Sequence, residues 1–149
     1  MRDYLRDYVT AAFRFYAKND KSAEKYKKKI YVQALEEGMI REGAKSGISK
    51  PTESAVIAAE RAVSLRIAEI RDMEAVEKVI AELDVKRRRD IIEAIEFVYF
   101  SSPEEDVENI KAKVHHAEIF IPASERSIYY WLKQARQIFA IERGLRVEI

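Results

Sequence analysis

The sequence lacks cysteine and is poor in the residues that make turns. With no Cys among 149 residues, disulfide bridges, thiolate metal sites and cysteine nucleophiles are excluded. Only 4 Gly and 3 Pro are present, too few for the hairpins and tight turns of an all-β or α/β fold. No apolar run reaches the length of about 18 residues that would predict a membrane span. The charge-interrupted N-terminus does not resemble a signal peptide, and a cytoplasmic protein is expected.

Charged and apolar residues at helical spacing are abundant instead. The chain is 48% hydrophobic and 36% charged, a composition that suits long solvated helices. We predict an all-α fold with N-terminal helices, a long central helix and a C-terminal helix-turn-helix unit. Two regions are expected, a helical N-terminal region at 1–83 and a C-terminal region at 84–149. The clearest linker is "GAKSGISKP" at 43–51, which holds two glycines and a proline.

Local signals predict where the helices begin and end. A helix is expected over 3–18, the next over 23–46, another after the linker, one after Asp84, one from Ser102-Pro103, and the last over 125–142. The expected N-caps are Asp3 or Asp7, Ser22, Thr52 or Ser49, Asp84 and Ser124, and Gly144 is the expected C-cap.

The central part of the chain carries a narrow apolar stripe with a spacing of three or four residues. It predicts one long helix, or two helices with a bend near Arg71-Asp72. Its members are Val56, Ala59, Val63, Ile67, Ile70, Met73, Val76, Ile80 and Leu83. A helix of this length spans roughly 42 Å, more than a domain of this size covers, so a homodimer through the overhanging stripe is expected.

Residues 107–140 have the layout of a helix-turn-helix. A helix face made of Val107, Ile110, Val114, Ala117 and Ile119 leads to the short turn "PAS", after which Ser124 caps a second helix. That helix divides into an apolar side and a polar side, as a recognition helix requires. The apolar side holds Ile128, Trp131, Leu132, Ala135, Ile138 and Phe139. The candidate DNA-binding residues are Ser124, Glu125, Arg126, Tyr129, Tyr130, Lys133, Arg136 and Gln137. Residues 84–149 are therefore expected to form the DNA-binding region, and residues 1–83 the oligomerisation region.

The segment "IPASERSIYYWLKQARQIFA", with the helix "VKRRRDIIEAIEFVYF" before it, resembles the C-terminal region of phage and prophage late-gene regulators of the RinA/ArpU type. That region is itself similar to region 4 of sigma-70 factors. The matching positions are Ser124, Arg126, Ile128, Tyr129, Trp131, Leu132, Ala135 and Arg136. Tyr130 departs from the pattern, which often has Arg there. The resemblance implies a transcription regulator that binds double-stranded promoter DNA and contacts bacterial RNA polymerase.

Charge is unevenly placed along the chain. Counting Lys and Arg against Asp and Glu, residues 1–50 carry a net +5, residues 51–105 carry −5, and residues 106–149 carry +1. Such a weak basic footprint predicts modest DNA affinity for a single subunit. The run "KRRR" at 86–89 either contacts phosphates or forms a solvated face.

Other functions remain open at this point. A phage terminase small subunit also combines a helix-turn-helix with oligomerising helices, and a helical adaptor bundle would need no DNA. No Gly-rich phosphate loop or catalytic set supports an enzyme, and no cofactor is expected. Adjacent His115 and His116 point about 100° apart on a helix, so no metal site is expected from them.

Overall fold

In the computed structural model, the described residues, 3–41, 43, 50–101 and 110–145, are helical almost throughout and contain no strand. The all-α prediction is confirmed. The helices are α1 (Tyr4–Lys18), α2 (Ala23–Arg41), α3 (Glu53–Leu65), α4 (Ile67–Val85), α5 (Arg89–Ile95), α6 (Ile110–Phe120) and α7 (Glu125–Arg143). A π-helical turn, Glu96–Phe100, continues α5. None of the described helices is both long and apolar enough to cross a membrane.

Most helix ends fall where the local signals predict them. Asp3, Thr52 and Ser124 each accept a hydrogen bond from the backbone N–H three residues later. Ser22 Oγ likewise accepts a hydrogen bond from the Lys25 amide, at 3.2 Å. Gly144 ends α7 with a left-handed φ of 69°. These side chains satisfy backbone groups that a helix leaves unpaired at its ends.

Four predictions about local structure are wrong. Helix α2, expected to reach residue 46, ends at Arg41, and Gly43 lies in a turn with a φ of 78°. Asp84 is not an N-cap: it lies inside α4, and α5 begins at Arg89 without a side-chain cap. The central helix is indeed two helices, but the break is at Arg66 rather than at Arg71-Asp72. Ile119 is 73% exposed and not part of the core face of α6. The helix start at Ser102-Pro103, Val107, Ser49 and most of the 43–51 linker lie outside the described residues.

One hydrophobic core joins α1, α4, α5, the π turn, α6 and α7. Its centre is an aromatic cluster around Phe13, whose ring lies 5.3 Å from Tyr99, 6.2 Å from Phe100 and 5.8 Å from Phe139. Because the core draws residues from Val9 to Phe139, the two predicted regions, 1–83 and 84–149, share it. Their division remains a prediction about function.

The α4 half of the apolar stripe is internal, so a homodimer through the stripe is left only its α3 half. Ile70 is 3% exposed, Met73 and Val76 are fully buried, and Leu83 is 2% exposed. Those side chains pack inside the subunit because α4 lies against α1, α5 and α7.

A polar contact ties the two ends of the chain to α4. The carboxylate of Asp72 accepts hydrogen bonds from the Tyr8 hydroxyl at 2.8 and 2.9 Å. It also accepts one from Arg143 Nε at 2.7 Å. The Arg143 and Asp72 side chains are 19% and 15% exposed, so this is a largely desolvated ion pair. The hydrogen bond to Asp72 raises the pKa of Arg143. The pKa of the Tyr8 hydroxyl is also raised, chiefly by burial and then by the hydrogen bond to Asp72.

Helices α2 and α3 form a two-helix arm, here called the α2–α3 arm, that packs mainly on itself. Gly38 lies so close to Ala55 that an added Cβ would approach Ala55 to 3.3 Å. Ala55 and Ala59 are the only buried residues of α3, and Ala23, at the base, is the only one of α2. The base of the arm, where α2 begins at Ala23, is held to α4 by two hydrogen bonds. The Tyr26 hydroxyl donates to the Glu69 carboxylate, and the Ala23 amide donates to the Glu77 carboxylate.

Candidate nucleic-acid interface

The turn between α6 and α7 is fixed by several local hydrogen bonds. Ser124 Oγ accepts from the Ser127 amide at 3.2 Å, and the two hydroxyls are 3.0 Å apart. The Glu118 carboxylate of α6 accepts from the Glu125 amide, the first residue of α7. Ile121, in the turn, is 4% exposed and belongs to the core. The start of α7 is therefore held in a defined position against α6.

The inner side of α7 docks on the core. Ile128, Leu132, Ala135 and Phe139 are fully buried, and Trp131 and Ile138 are partly buried against the same cluster. This is the division into sides that the apolar spacing predicts, with a continuous strip of core contacts along almost the whole helix.

The outer side of α7 carries four of the predicted DNA-binding residues in a single row. Arg126, Tyr130, Lys133 and Gln137 are three or four residues apart, so they lie on one face of the helix. All four are exposed, and the Tyr130 side chain is 59% exposed. Neither Arg126 nor Lys133 forms an ion pair with another described residue. This set is called the α7 row below.

The other four predicted residues have different surroundings. Ser124 is engaged in its cap, and Glu125 is half-buried beside α6. Tyr129 lies at the edge of the row and is 37% exposed. Arg136 points sideways: it is half-buried and donates from Nη1 to the Tyr99 hydroxyl at 3.1 Å. That bond ties α7 to the π turn and gives Arg136 a structural partner.

Two basic segments remote in sequence come close to the α7 row. Burial raises the pKa of Tyr129 and Glu125 adds to this, while the positive charge of Arg6 in α1 opposes it. The hydrogen bond to Asp90 raises the pKa of Arg88, and Tyr130 is near enough to contribute. Thus Arg6 lies within electrostatic range of Tyr129, and Arg88 of the "KRRR" turn lies within range of Tyr130. The Arg6 position was missed by sequence reasoning, because only the packing of α1 on α7 reveals it.

The "KRRR" turn does not present its four cations equally. Arg88 forms a two-pronged ion pair with Asp90, at 3.1 and 3.2 Å. Lys86 pairs with Glu82 at 3.3 Å. Arg87 and Arg89 are exposed, and neither pairs with a carboxylate in the part of the chain that the structure describes. Two arginines of the turn are therefore available to an external anion.

The backbone of Arg87 is strained. Its φ of 58° lies in the left-handed region, which costs a residue with a Cβ roughly 1 kcal/mol. The Arg87 amide bonds to the Asp84 carbonyl and the Arg88 amide to the Leu83 carbonyl, at 3.0 and 2.8 Å. This pattern is a Schellman motif with arginine where glycine is usual. The same motif ends α7, and there the residue is Gly144.

The two histidines diverge as helix geometry predicts. The His116 ring lies 5.2 Å from Phe120, whereas His115 Nδ1 lies 3.8 Å from a Glu118 oxygen. His115, Glu118 and Glu125 offer ligand atoms within 4.8 Å of one another and are the described residues that could hold a divalent cation. His115 is widely exposed, and Glu118 already bonds to the Glu125 amide.

No known protein family, curated protein or solved structure matches this chain.

Proposed function

We propose that this protein is a sequence-specific regulator that binds duplex DNA through α7. The observation that supports the proposal best is the α7 row: two cations, a tyrosine and a glutamine on the solvent side of a helix whose other side is docked on the core. Arginine can pair with guanine and glutamine with adenine, while lysine and tyrosine can hold phosphates. The resemblance to phage late-gene regulators of the RinA/ArpU type supports the same function.

The surroundings of the row add the phosphate contacts that a recognition helix needs. In helix-turn-helix proteins the bases are read from the start of the second helix, and flanking residues hold the backbone on either side. Arg6 lies within electrostatic range of Tyr129, and Arg88, in the turn that also holds Arg87 and Arg89, lies within range of Tyr130. Contact with bacterial RNA polymerase rests on the resemblance to sigma region 4 alone.

Replacement of α7-row cations should weaken DNA binding without unfolding the protein. We expect Arg126→Ala and Lys133→Ala each to cost about 1–3 kcal/mol of binding energy, with the arginine variant also relaxing specificity at one base pair. The measurement is titration against a duplex selected from random DNA, with melting temperature recorded in parallel. Lys111→Ala, an exposed cation on α6 outside the row, is the control. Parent-like affinity in both α7 variants would favour the helical-adaptor alternative.

Arg87→Gly should separate stability from function. Glycine relieves the left-handed φ, so the free energy of unfolding should rise by about 0.5–1 kcal/mol. The same change removes an exposed cation from the turn proposed to hold phosphates, so affinity for any duplex should fall and its dependence on salt should weaken by about one charge. Thermal melting and a salt titration measure the two effects.

Two comparison variants interpret the Arg87→Gly result. Arg87→Ala removes the charge but keeps the strain, so it should weaken binding without the gain in stability. Gly144→Ala places a Cβ at φ 69° in the equivalent position of α7 and should lower stability. Unchanged DNA affinity in both Arg87 variants would assign this arginine to a solvated face.

A terminase small subunit remains the second candidate from the sequence, and no feature of the described residues favours it over a regulator. Binding that prefers one short duplex sequence supports the regulator, and assembly into rings of about eight or more subunits supports the terminase.

A further inference from the structure

We infer that one side of the α2–α3 arm is a docking surface for a second copy of this chain, with the two copies of α2 antiparallel about a two-fold axis at Val32. Val32, Leu35 and Met39 are three and four residues apart and so share one side of α2. Val56 and Val63, seven residues apart, share one side of α3. None of the five is buried: Val32 is 39% exposed and the others are half-buried.

Both rows lie on the same side of the arm. The two helices are right-handed and antiparallel, and Gly38 against Ala55 marks their line of contact. Viewed from the base, Leu35 and Met39 follow Gly38 in the clockwise sense around α2. Val56 and Val63 are displaced from Ala55 and Ala59 toward that same side, because α3 runs the opposite way. The opposite side of the arm carries Tyr26, which bonds to Glu69 of α4. The face with Val32 is therefore turned away from the α4 anchor; it is called the arm face below.

The size of the arm face suits a weak dimer. The 19 residues of α2 span about 28 Å and the 13 residues of α3 about 20 Å, and each helix presents a strip about 9 Å wide. The face thus covers roughly 430 Å² per subunit, or roughly 860 Å² for a pair, the size of a weak, reversible interface. Close packing at Gly38 keeps the two helices level with each other, so that both can contact a partner.

The charges on α2 favour a second copy of this chain as the partner that binds the arm face. Lys28 lies four residues before Val32 and Glu36 four residues after it, so both flank Val32 on the same stretch of helix, and both are exposed. A two-fold axis through Val32 reverses the second helix. It therefore places Lys28 opposite the partner's Glu36, and Glu36 opposite the partner's Lys28. Such self-complementarity is what a two-fold interface between identical chains requires.

The arm dimer keeps Val56 and Val63 from the predicted stripe and leaves out its α4 half, since Ile70 and Met73 are enclosed by their own subunit. Placement of two α7 rows on one duplex rests on the proposed function. Formation of the arm dimer does not depend on that function, and it is measured without DNA.

Charge reversal tests the pairing while leaving the fold intact, because both residues are exposed. Lys28→Glu sets two glutamates against each other at each contact, and Glu36→Lys sets two lysines together. Each single variant should raise the dimer dissociation constant about tenfold or more in sedimentation at low salt. The double variant K28E/E36K should restore the parent value, because the opposite charges again face each other. An equimolar mixture of the two single variants should form a heterodimer, in which every contact is matched.

A second pair of variants tests the axis. Val32→Glu brings two carboxylates together at the two-fold axis and should give a monomer at micromolar concentration with parent-like helicity. Ile57→Glu is the matched control, since Ile57 is 58% exposed and lies about 100° around α3 from Val56 and about 120° from Val63. It should leave the dissociation constant unchanged.

A monomeric parent chain at micromolar concentration would overturn the inference and leave the face to another protein. A dimer in which the single charge reversals have no effect, or the double variant fails to recover, would overturn this pairing. The DNA affinity of the monomeric Val32→Glu variant tests the proposed function separately. If specific binding is lost but a weaker single-site affinity remains, the proposed function stands. A parent dimer that binds no duplex would refute the proposed function and leave the dimer intact.

Discussion

Phe13→Ala should lower the free energy of unfolding by about 3–5 kcal/mol, the cost of emptying a closed aromatic site. Phe13 is fully buried and contacts the rings of Tyr99, Phe100 and Phe139. These neighbours come from the π turn and α7, so relaxation of one helix alone cannot fill the cavity. For a chain of this length, the melting temperature should fall by roughly 10 °C or more.

Two variants calibrate the Phe13→Ala result. Phe13→Leu keeps most of the volume and should recover more than half of the loss. Phe120→Ala removes the same side chain where it is 60% exposed and should cost less than about 1 kcal/mol. A melting temperature within about 2 °C of the parent for Phe13→Ala would mean that α1 does not pack on α7 as described.

Asp72→Ala should be the most damaging single change to a polar residue, at about 3 kcal/mol. The substitution leaves the Arg143 guanidinium only 19% exposed and without its carboxylate, and it also removes the acceptor of the Tyr8 hydroxyl. Loss of one partner of a buried pair costs about 3–5 kcal/mol, and the residual exposure places this pair at the lower end. Thermal and urea unfolding measure the effect.

The partner substitution shows whether the cost lies in the stranded charge. Adding Arg143→Met to Asp72→Ala removes that charge, so the double variant should be more stable than Asp72→Ala alone. Lys78→Ala breaks an exposed pair with Glu142 at 3.8 Å and should change stability by less than about 1 kcal/mol. A double variant no more stable than Asp72→Ala alone would show that the stranded Arg143 charge carries no cost.

Sequence reasoning succeeded where a structure depends on its immediate neighbours. The caps at Asp3, Ser22, Thr52 and Ser124 were predictable because a cap needs only one side chain and an amide a few residues away. The inner side of α7 was predictable because a docked helix repeats its apolar residues every three or four positions.

Prediction from the sequence failed where the local structure depends on residues far away in the chain. Asp72 looked like a bend in the central helix, yet it is the acceptor for Tyr8 and Arg143, 64 and 71 residues away. The true break at Arg66 carries no glycine or proline, and Asp84 had an acceptable cap sequence without becoming a cap. In the candidate site, the α7 row was predictable from periodicity. The approach of Arg6, the strain at Arg87 and the sideways bond of Arg136 were not, since each follows from tertiary packing.

The π turn at 96–100 marks the place where this fold can accept a change in chain length. Its closing bond joins the Ser101 amide to the Glu96 carbonyl, five residues apart rather than four, so the helix contains one residue more than a regular turn would need. The wider turn allows Val98, Tyr99 and Phe100 to be buried consecutively. Deletion of one residue here would restore regular α-helical pairing at the end of α5. A deletion inside α4 or α7 would instead rotate every later side chain by about 100° away from the core. Natural variants of this protein that differ in length within a helix should therefore have their gap in this turn.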